Sequence, residues 1–124
     1  MTHFAVYYTL MINIKPEITY EDFSKIDIRL GTIIDASAVE GSTKLLKLQV
    51  DFGELGQRQI LSGIAKDFKP EDLIGKQTTF VVNLATRQMM GLESQGMLFA
   101  IDNKDNKTVL FSTYEPVDNG EGAC

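Results

Sequence analysis

Apolar and polar residues alternate along the middle of the chain, which is the pattern of half-buried β-strands. The longest run is Ile26–Asp35, in which every second position is Ile, Leu or Thr. A second strand is predicted over 46–52 and a third over 57–63, joined by a glycine-bounded loop over 53–56. The remaining predicted strands lie over 77–84 and 95–101, with a further extended segment over 108–111.

Two short helices are predicted where this alternation stops. Thr19 is a candidate N-cap for a helix over 20–25, which has two acids in its first turn. Pro70 begins a second helical turn, and Gly75 lies where a helix commonly ends.

Less regular segments separate or follow these elements. Gly31, inside the first strand, predicts a bulge or a sharp coil of that strand. Residues 85–93 are predicted as a loop and the tail 118–124 as frayed. Three strands, a helix and two strands form the element order of an OB-fold, a five-stranded Greek-key barrel, although other small barrels share that order. We therefore expect an all-β OB-fold with a short helix between strands three and four, plus N- and C-terminal extensions.

Composition narrows the function classes further. The chain has 124 residues, of which 44% are hydrophobic and 23% charged, as in one soluble globular domain. Its only cysteine, Cys124, cannot form an internal disulfide or a Cys-based zinc site, and this fits a reducing cytoplasm. A single histidine, His3, is too few for a His-rich metal centre or a Ser-His-Asp triad. The longest nearly apolar run, 4–12, is far shorter than the roughly 20 residues that span a bilayer, so we expect no membrane partner.

The net charge of −5 is unevenly distributed. Residues 1–43 carry three basic and six acidic side chains, and residues 101–124 carry two and five. The middle, 44–100, has seven basic and six acidic side chains, so a locally basic face is compatible with the overall acidity. No nucleophile–base pair, phosphate loop or metal-ligand spacing occurs, so we expect neither catalysis nor a cofactor.

Several motifs occur in a fixed order along the chain. They are Phe23–Gly31, Gly41–Leu48, Ile60–Ala65, Pro70–Lys76 and Glu93–Met97, the last preceded by Asn83, Arg87 and Gly91. Together they resemble the tRNA-binding OB domain, a family that includes a stand-alone bacterial protein, the C-terminal domain of methionyl-tRNA synthetase and, more distantly, CsaA-type chaperones. The resemblance covers 18–115, which leaves 1–17 as an N-terminal extension and 116–124 as a C-terminal tail.

This resemblance implies a non-catalytic, structure-selective tRNA-binding domain that forms a homodimer. The protein would act alone or as the tRNA-binding part of a methionyl-tRNA synthetase, beside a separate catalytic chain. The alternative is a peptide-binding export chaperone of the CsaA type. Apolar material outside the five strands, at 4–12, 109–111 and Tyr114, is consistent with a subunit interface.

Five residues are candidates for RNA contacts: Lys44, Lys47, Asn83, Arg87 and Ser94. The lysines could equally be ordinary solvated surface residues, and Arg87 could pair with Glu93. Asn and Ser at strand ends also commonly bond nearby backbone. Two positions depart from the family, which usually has proline at Thr86 and a second cation at Gln88.

Arg29 has a different expected role from these candidates. It lies on the polar side of the first strand beside Asp27. For this reason a local ion pair between Arg29 and Asp27 is expected rather than an RNA contact.

Overall fold

The computed structural model describes residues 13–124 and consists mainly of antiparallel strands. The helices and strands are, in chain order, α1 (Tyr20–Ser24), β1 (Ile28–Ala38), β2 (Leu46–Asp51), β3 (Gln57–Ser62), α2 (Pro70–Leu73), β4 (Gln77–Val81), β5 (Arg87–Met89), β6 (Leu92–Ser94), β7 (Met97–Asp102), β8 (Thr108–Leu110) and β9 (Gly122–Ala123). A 3₁₀ turn, Gly53–Leu55, joins β2 to β3. His3 and the apolar run 4–12 lie outside the described residues.

The larger sheet has the order β3-β2-β1-β4-β7-β8, and its neighbouring strands are antiparallel. The short helix α2 lies between β3 and β4 along the chain, as expected for an OB-fold. β1 is long enough to pair with β4 through its first half and with β2 through its second half. The all-β OB-fold predicted from the element order is therefore confirmed.

Of the two features predicted at Gly31, a bulge or a sharp coil, the bulge is wrong. The irregularity in β1 lies between Ile33 and Asp35, not at the glycine. A Cβ at Gly31 would lie 2.5 Å from Val50 Cγ1 and 2.7 Å from Phe52 Cε1. Glycine is required here because β1 passes directly over these two core side chains.

The core lies inside the curved sheet, and in β2 it follows from the alternation of the sequence. Leu46, Leu48 and Val50 are almost fully buried, and the intervening residues of β2 face outward. The Phe52 and Phe80 rings meet edge to face, with centroids 5.5 Å apart. In β2, burial of one face therefore leaves the opposite face, with Lys47 and Gln49, available to other partners.

Local signals for the helices and for one ion pair are confirmed. Thr19 Oγ1 accepts a hydrogen bond of 3.1 Å from Asp22 N at the start of α1. Arg29 Nε lies 2.6 Å from Asp27 Oδ1, as the sequence predicts. The hydrogen bond from Arg29 to Asp27, and the charge of that carboxylate, raise the pKa of Arg29.

The segment predicted as a loop over 85–93 is instead largely a β-hairpin. β5 and β6 pair in register around a two-residue turn, Met90–Gly91, in which both residues have positive φ. Such turns match the twist of the paired strands. The sequence signal was weak because a methionine rarely occupies this backbone region.

The tail predicted as frayed over 118–124 is bound to β1. Its residues 122–123 pair with the first two residues of β1, and Gly120 N donates to Leu30 O at 2.7 Å. The Asn119 side-chain oxygen accepts hydrogen bonds of 2.9 Å from Thr32 Oγ1 and Gln77 Nε2. All these partners are far away in sequence, so local pattern could not reveal them.

Candidate nucleic-acid interface

The face of β2 and β3 opposite the core carries Lys47, Gln49 and Gln59, together with Leu61, which is only 4% exposed. Lys47 lies directly opposite Leu61 in the β2–β3 register, and Gln49 lies opposite Gln59. These side chains point outward because their neighbours along β2 fill the core. In OB-folds, this strand face and the loops beside it bind oligonucleotides.

The β5–β6 hairpin is held against β3 by two glutamines. Gln59 Nε2 donates to Glu93 O at 2.9 Å, and Gln95 N donates to Gln59 O at 2.8 Å. In addition, the Gln95 side-chain oxygen accepts a bond of 3.0 Å from Gln59 N. The hairpin therefore borders the outward face of β2–β3 in a fixed position.

Ser94 is part of this attachment and is only 3% exposed. Its hydroxyl accepts a hydrogen bond of 3.0 Å from Leu61 N and donates one of 3.1 Å to Gly96 O. The hydroxyl therefore donates one hydrogen bond and accepts one within the protein. In this geometry Ser94 positions the hairpin.

Arg87 lies opposite Ser94 in the hairpin register, with its side chain exposed. It lines a groove that also includes Leu61, the cross-strand partner of Lys47. Within residues 13–124 the ion pairs are Lys25–Asp22 and Arg29–Asp27, so Arg87 does not pair with Glu93. Lys47 lines a different cavity, together with Glu40, Met90 and Leu92, so the two cations lie at two cavities that both adjoin the hairpin.

The loop between β1 and β2 meets the tip of the hairpin. A Cβ at Gly41 would lie 3.2 Å from Met90 Cε, so the hairpin tip packs close to this loop. Lys44 is exposed in the same loop, and its carbonyl oxygen accepts a bond of 3.0 Å from Ala65 N. Lys44 therefore lies at one end of the surface that carries Lys47.

Asn83 lies just after β4 and connects that strand to the segment that follows α1. Its Oδ1 accepts a bond of 2.9 Å from Asp27 N, and its Nδ2 donates to Lys25 O at 2.6 Å. The amide thus ties the residues after α1 to the end of β4. As for Ser94, its polar atoms are engaged by backbone groups.

Two further cations near these strands, Lys66 and Arg58, received no role in the sequence analysis. Lys66 is exposed and directly follows Ala65, whose backbone is bonded to Lys44. A cation after the Ile60–Ala65 motif was the signal that could have identified it. Arg58, in contrast, directs its guanidinium to the carbonyl oxygens of Val82 and Gln95, inside the protein.

Neither a metal-holding cluster nor a membrane-crossing helix occurs in the part of the chain that is described. Between residues 13 and 124, no group of three or more His, Cys, Asp or Glu side chains is arranged to hold a metal ion. No helix in this range is long and apolar enough to cross a membrane.

Comparisons with known proteins agree with this geometry. The chain matches the family model described as "Putative tRNA binding domain" over residues 28–122. It is 52% identical over 97 residues to the methionine–tRNA ligase of Methanococcoides burtonii, a match that covers 77% of this chain and 14% of the ligase. The chain therefore spans about one-seventh of the length of this curated relative.

Two solved structures share the fold over most of their length. The MetRS related protein from Pyrococcus horikoshii has a TM-score of 0.82 and 37% identity, covering 88% of this chain and 99% of that one. The chaperone CsaA from Bacillus anthracis has a TM-score of 0.79 and 31% identity, covering 88% and 100%. The resemblance found in the sequence is confirmed, and the chain belongs to the tRNA-binding domain family.

Proposed function

We propose that this chain is a non-catalytic domain that binds folded tRNA on the outward face of β2–β3 and the adjoining hairpin. The observation that carries the proposal is that exposed Arg87 and partly exposed Lys47 line two cavities that both adjoin the hairpin. Lys44 and Lys66 extend the cationic surface at the β1–β2 end. Cations placed at phosphates supply the main attraction to RNA.

The proposed recognition depends on shape and phosphate position more than on base sequence. A-form helices hide their base edges in a deep and narrow groove, so side chains on a barrel surface contact phosphates and 2′-hydroxyls. With a net charge of −5, the protein attracts RNA only where cations are locally concentrated. The complex should therefore weaken steeply with salt.

Asn83 and Ser94 have indirect roles in this proposal. The Ser94 hydroxyl bonds Leu61 N and Gly96 O, and the Asn83 amide bonds backbone at Asp27 and Lys25. We assign Ser94 to positioning the hairpin that carries Arg87. Asn83 is assigned to holding the chain that precedes β1 against β4.

In the cell, the domain would act in the cytoplasm, alone or as the tRNA-binding part of a methionyl-tRNA synthetase. In the second case, a separate catalytic chain would carry out aminoacylation, and this domain would raise its affinity for tRNA. Co-purification of a synthetase catalytic chain with the tagged protein from its own cells would support that arrangement. Recovery of tRNA without such a chain would favour the stand-alone form.

A homodimer is also part of the proposal. The Phe99 and Phe111 rings stack with centroids 5.5 Å apart while remaining 38% and 36% exposed. Ile101 and Val109, which face each other across β7 and β8, are also exposed. Apolar surface of this kind usually marks an interface. Light scattering at micromolar concentration should give twice the chain mass, and a monomer mass would contradict the dimer.

The second candidate function is peptide binding of the CsaA type. It is favoured by the 31% identity to a chaperone CsaA and by an apolar groove beside Arg87. A peptide-binding chaperone should suppress aggregation of an unfolded client, and RNA should compete with that client. Failure to suppress aggregation at a concentration that saturates tRNA would remove this candidate.

The test of the main proposal is a mobility-shift titration with tRNA, single-stranded RNA and duplex DNA at two salt concentrations. We expect tRNA to bind most tightly and its affinity to fall with salt. Equal affinity for duplex DNA would indicate only general polyanion binding. Lack of tRNA binding at low salt would refute the proposal.

A further inference from the structure

A groove between β3, the hairpin and β7 lies directly beside Arg87. It has a volume of about 330 Å³, and we call it the Arg87 groove. Its main lining side chains are Leu61, Leu84, Arg87, Met89, Ser94 and Met97. The walls are therefore mostly apolar, and Arg87 is the one charged residue among these side chains. Leu84 and Met97 are each about half exposed although they are apolar.

The polar atoms that could bind a ligand in the Arg87 groove are few. The Ser94 hydroxyl is engaged by Leu61 N and Gly96 O. The guanidinium of Arg87 is exposed and belongs to neither ion pair found within residues 13–124. A matching ligand thus has an apolar surface to pack against the walls and an anionic group for Arg87.

We propose that the Arg87 groove holds one unstacked nucleobase of the bound tRNA, with an adjoining phosphate on Arg87. This inference rests on the proposed tRNA-binding function. A nucleotide joins an apolar ring face to a phosphate, which is the combination that the groove matches. Phosphates further along the strand would reach Lys47, which lines a second cavity beside the hairpin residues Met90 and Leu92.

The base must come from an unpaired part of the tRNA. Bases inside a helix have both faces covered by their neighbours, and unstacking them costs a few kcal/mol. Loop and terminal nucleotides avoid most of that cost. Methionine side chains adapt to different ring shapes, so Met89 and Met97 should accept any of the four bases. The groove would therefore distinguish folded tRNA from a continuous duplex without reading sequence.

The test uses Met97→Ala and Leu84→Ala in the full chain, with Leu55→Ala as the control. Leu55 is an apolar residue that is 54% exposed on the 3₁₀ turn between β2 and β3, outside the groove. Each variant is titrated with tRNA and with a blunt RNA duplex that has no unpaired bases. Thermal unfolding verifies that all three variants remain folded.

We expect each groove variant to bind tRNA roughly three- to tenfold more weakly and to bind the duplex as the wild type does. Their log–log salt slopes should stay unchanged, because an apolar contact releases no counterions. A fluorescent base analogue, 2-aminopurine, at an unpaired tRNA position should change its emission with wild type and less with Met97→Ala. The Leu55→Ala control should match wild type with both RNAs.

Three results would overturn the inference while leaving tRNA binding intact. The first is unchanged tRNA affinity in both groove variants, and the second is an equal loss for tRNA and duplex. The third is loss of binding to an apolar peptide in Met97→Ala while tRNA binding is retained. That result would assign the groove to peptides. Failure of the proposed function is distinguishable, because the wild type itself would then not bind tRNA.

Discussion

Replacing Ser94 by alanine tests whether this residue positions the hairpin or contacts RNA. The change removes one hydroxyl from a side chain that is 3% exposed. It leaves Leu61 N without its 3.0 Å partner and Gly96 O without its donor. Leu61 is 4% exposed, so water has little access to the freed N–H group.

The expected loss of stability follows from that unpaired donor. A buried backbone N–H that loses its partner costs about 1–3 kcal/mol. For a domain of this length, each kcal/mol lowers the melting temperature by about 4 °C, so the predicted decrease is about 4–12 °C. Because the hydroxyl is buried, the dissociation constant for tRNA should change less than about threefold below the unfolding transition.

Thermal unfolding and a tRNA titration of Ser94→Ala measure the two quantities side by side. Ser62→Ala, next to Leu61 on the same strand, is the matched control and should lie within about 0.5 kcal/mol of wild type. An unchanged melting temperature with at least tenfold weaker tRNA binding would refute the positioning role. Ser94 would then be a direct RNA contact.

The remaining predictions concern the hairpin and the tail. Arg87→Ala should weaken tRNA binding and reduce the log–log salt slope by about 0.9, with little change in melting temperature; an unchanged slope would exclude a phosphate contact. Gln88 lies opposite Glu93 and between the groove residues Arg87 and Met89, so its side chain faces away from the groove. Gln88→Lys should therefore add about 0.2–1 kcal/mol of stability through a cross-strand ion pair with Glu93. It should leave the salt slope of tRNA binding unchanged. A steeper slope would place Gln88 on the RNA side. Gly120→Ala forces a Cβ to 2.6 Å from Phe52 O at φ 92°, and should cost more stability in urea unfolding than Gly56→Ala, which has φ 87° and open space around it. Gly56→Ala should cost about 1–2 kcal/mol; equal losses would mean that the tail is not held against the barrel.

Sequence pattern identified the elements whose causes are local. Alternation over 46–52 marked β2 because every second residue there enters the core. The Thr19 cap and the Arg29–Asp27 pair were predicted because each joins residues two or three positions apart. Within the candidate interface, the sequence likewise indicated Arg87 and Lys47, of which Arg87 is exposed and Lys47 partly exposed.

Interactions between distant residues could not be read from the sequence. One partner of the Ser94 hydroxyl is 33 positions away, and one partner of the Asn83 amide is 56 positions away. The tail was predicted as frayed because the donors that hold the Asn119 side chain lie far away in sequence, on β1 and β4. A Ser or Asn at a strand end could contact RNA or bond nearby backbone, and the sequence does not distinguish these roles until such partners are known.

The salt dependence of tRNA binding in a double variant tests the proposed interface most directly. Lys47→Gln with Arg87→Gln removes two positive charges from the outward face of β2–β3 and the hairpin. Lys104→Gln with Lys107→Gln removes two from the exposed turn between β7 and β8. The proposed interface predicts a log–log slope reduced by about 1.4–1.8 for the first pair and a wild-type slope for the second. Equal slopes for the two double variants would contradict it.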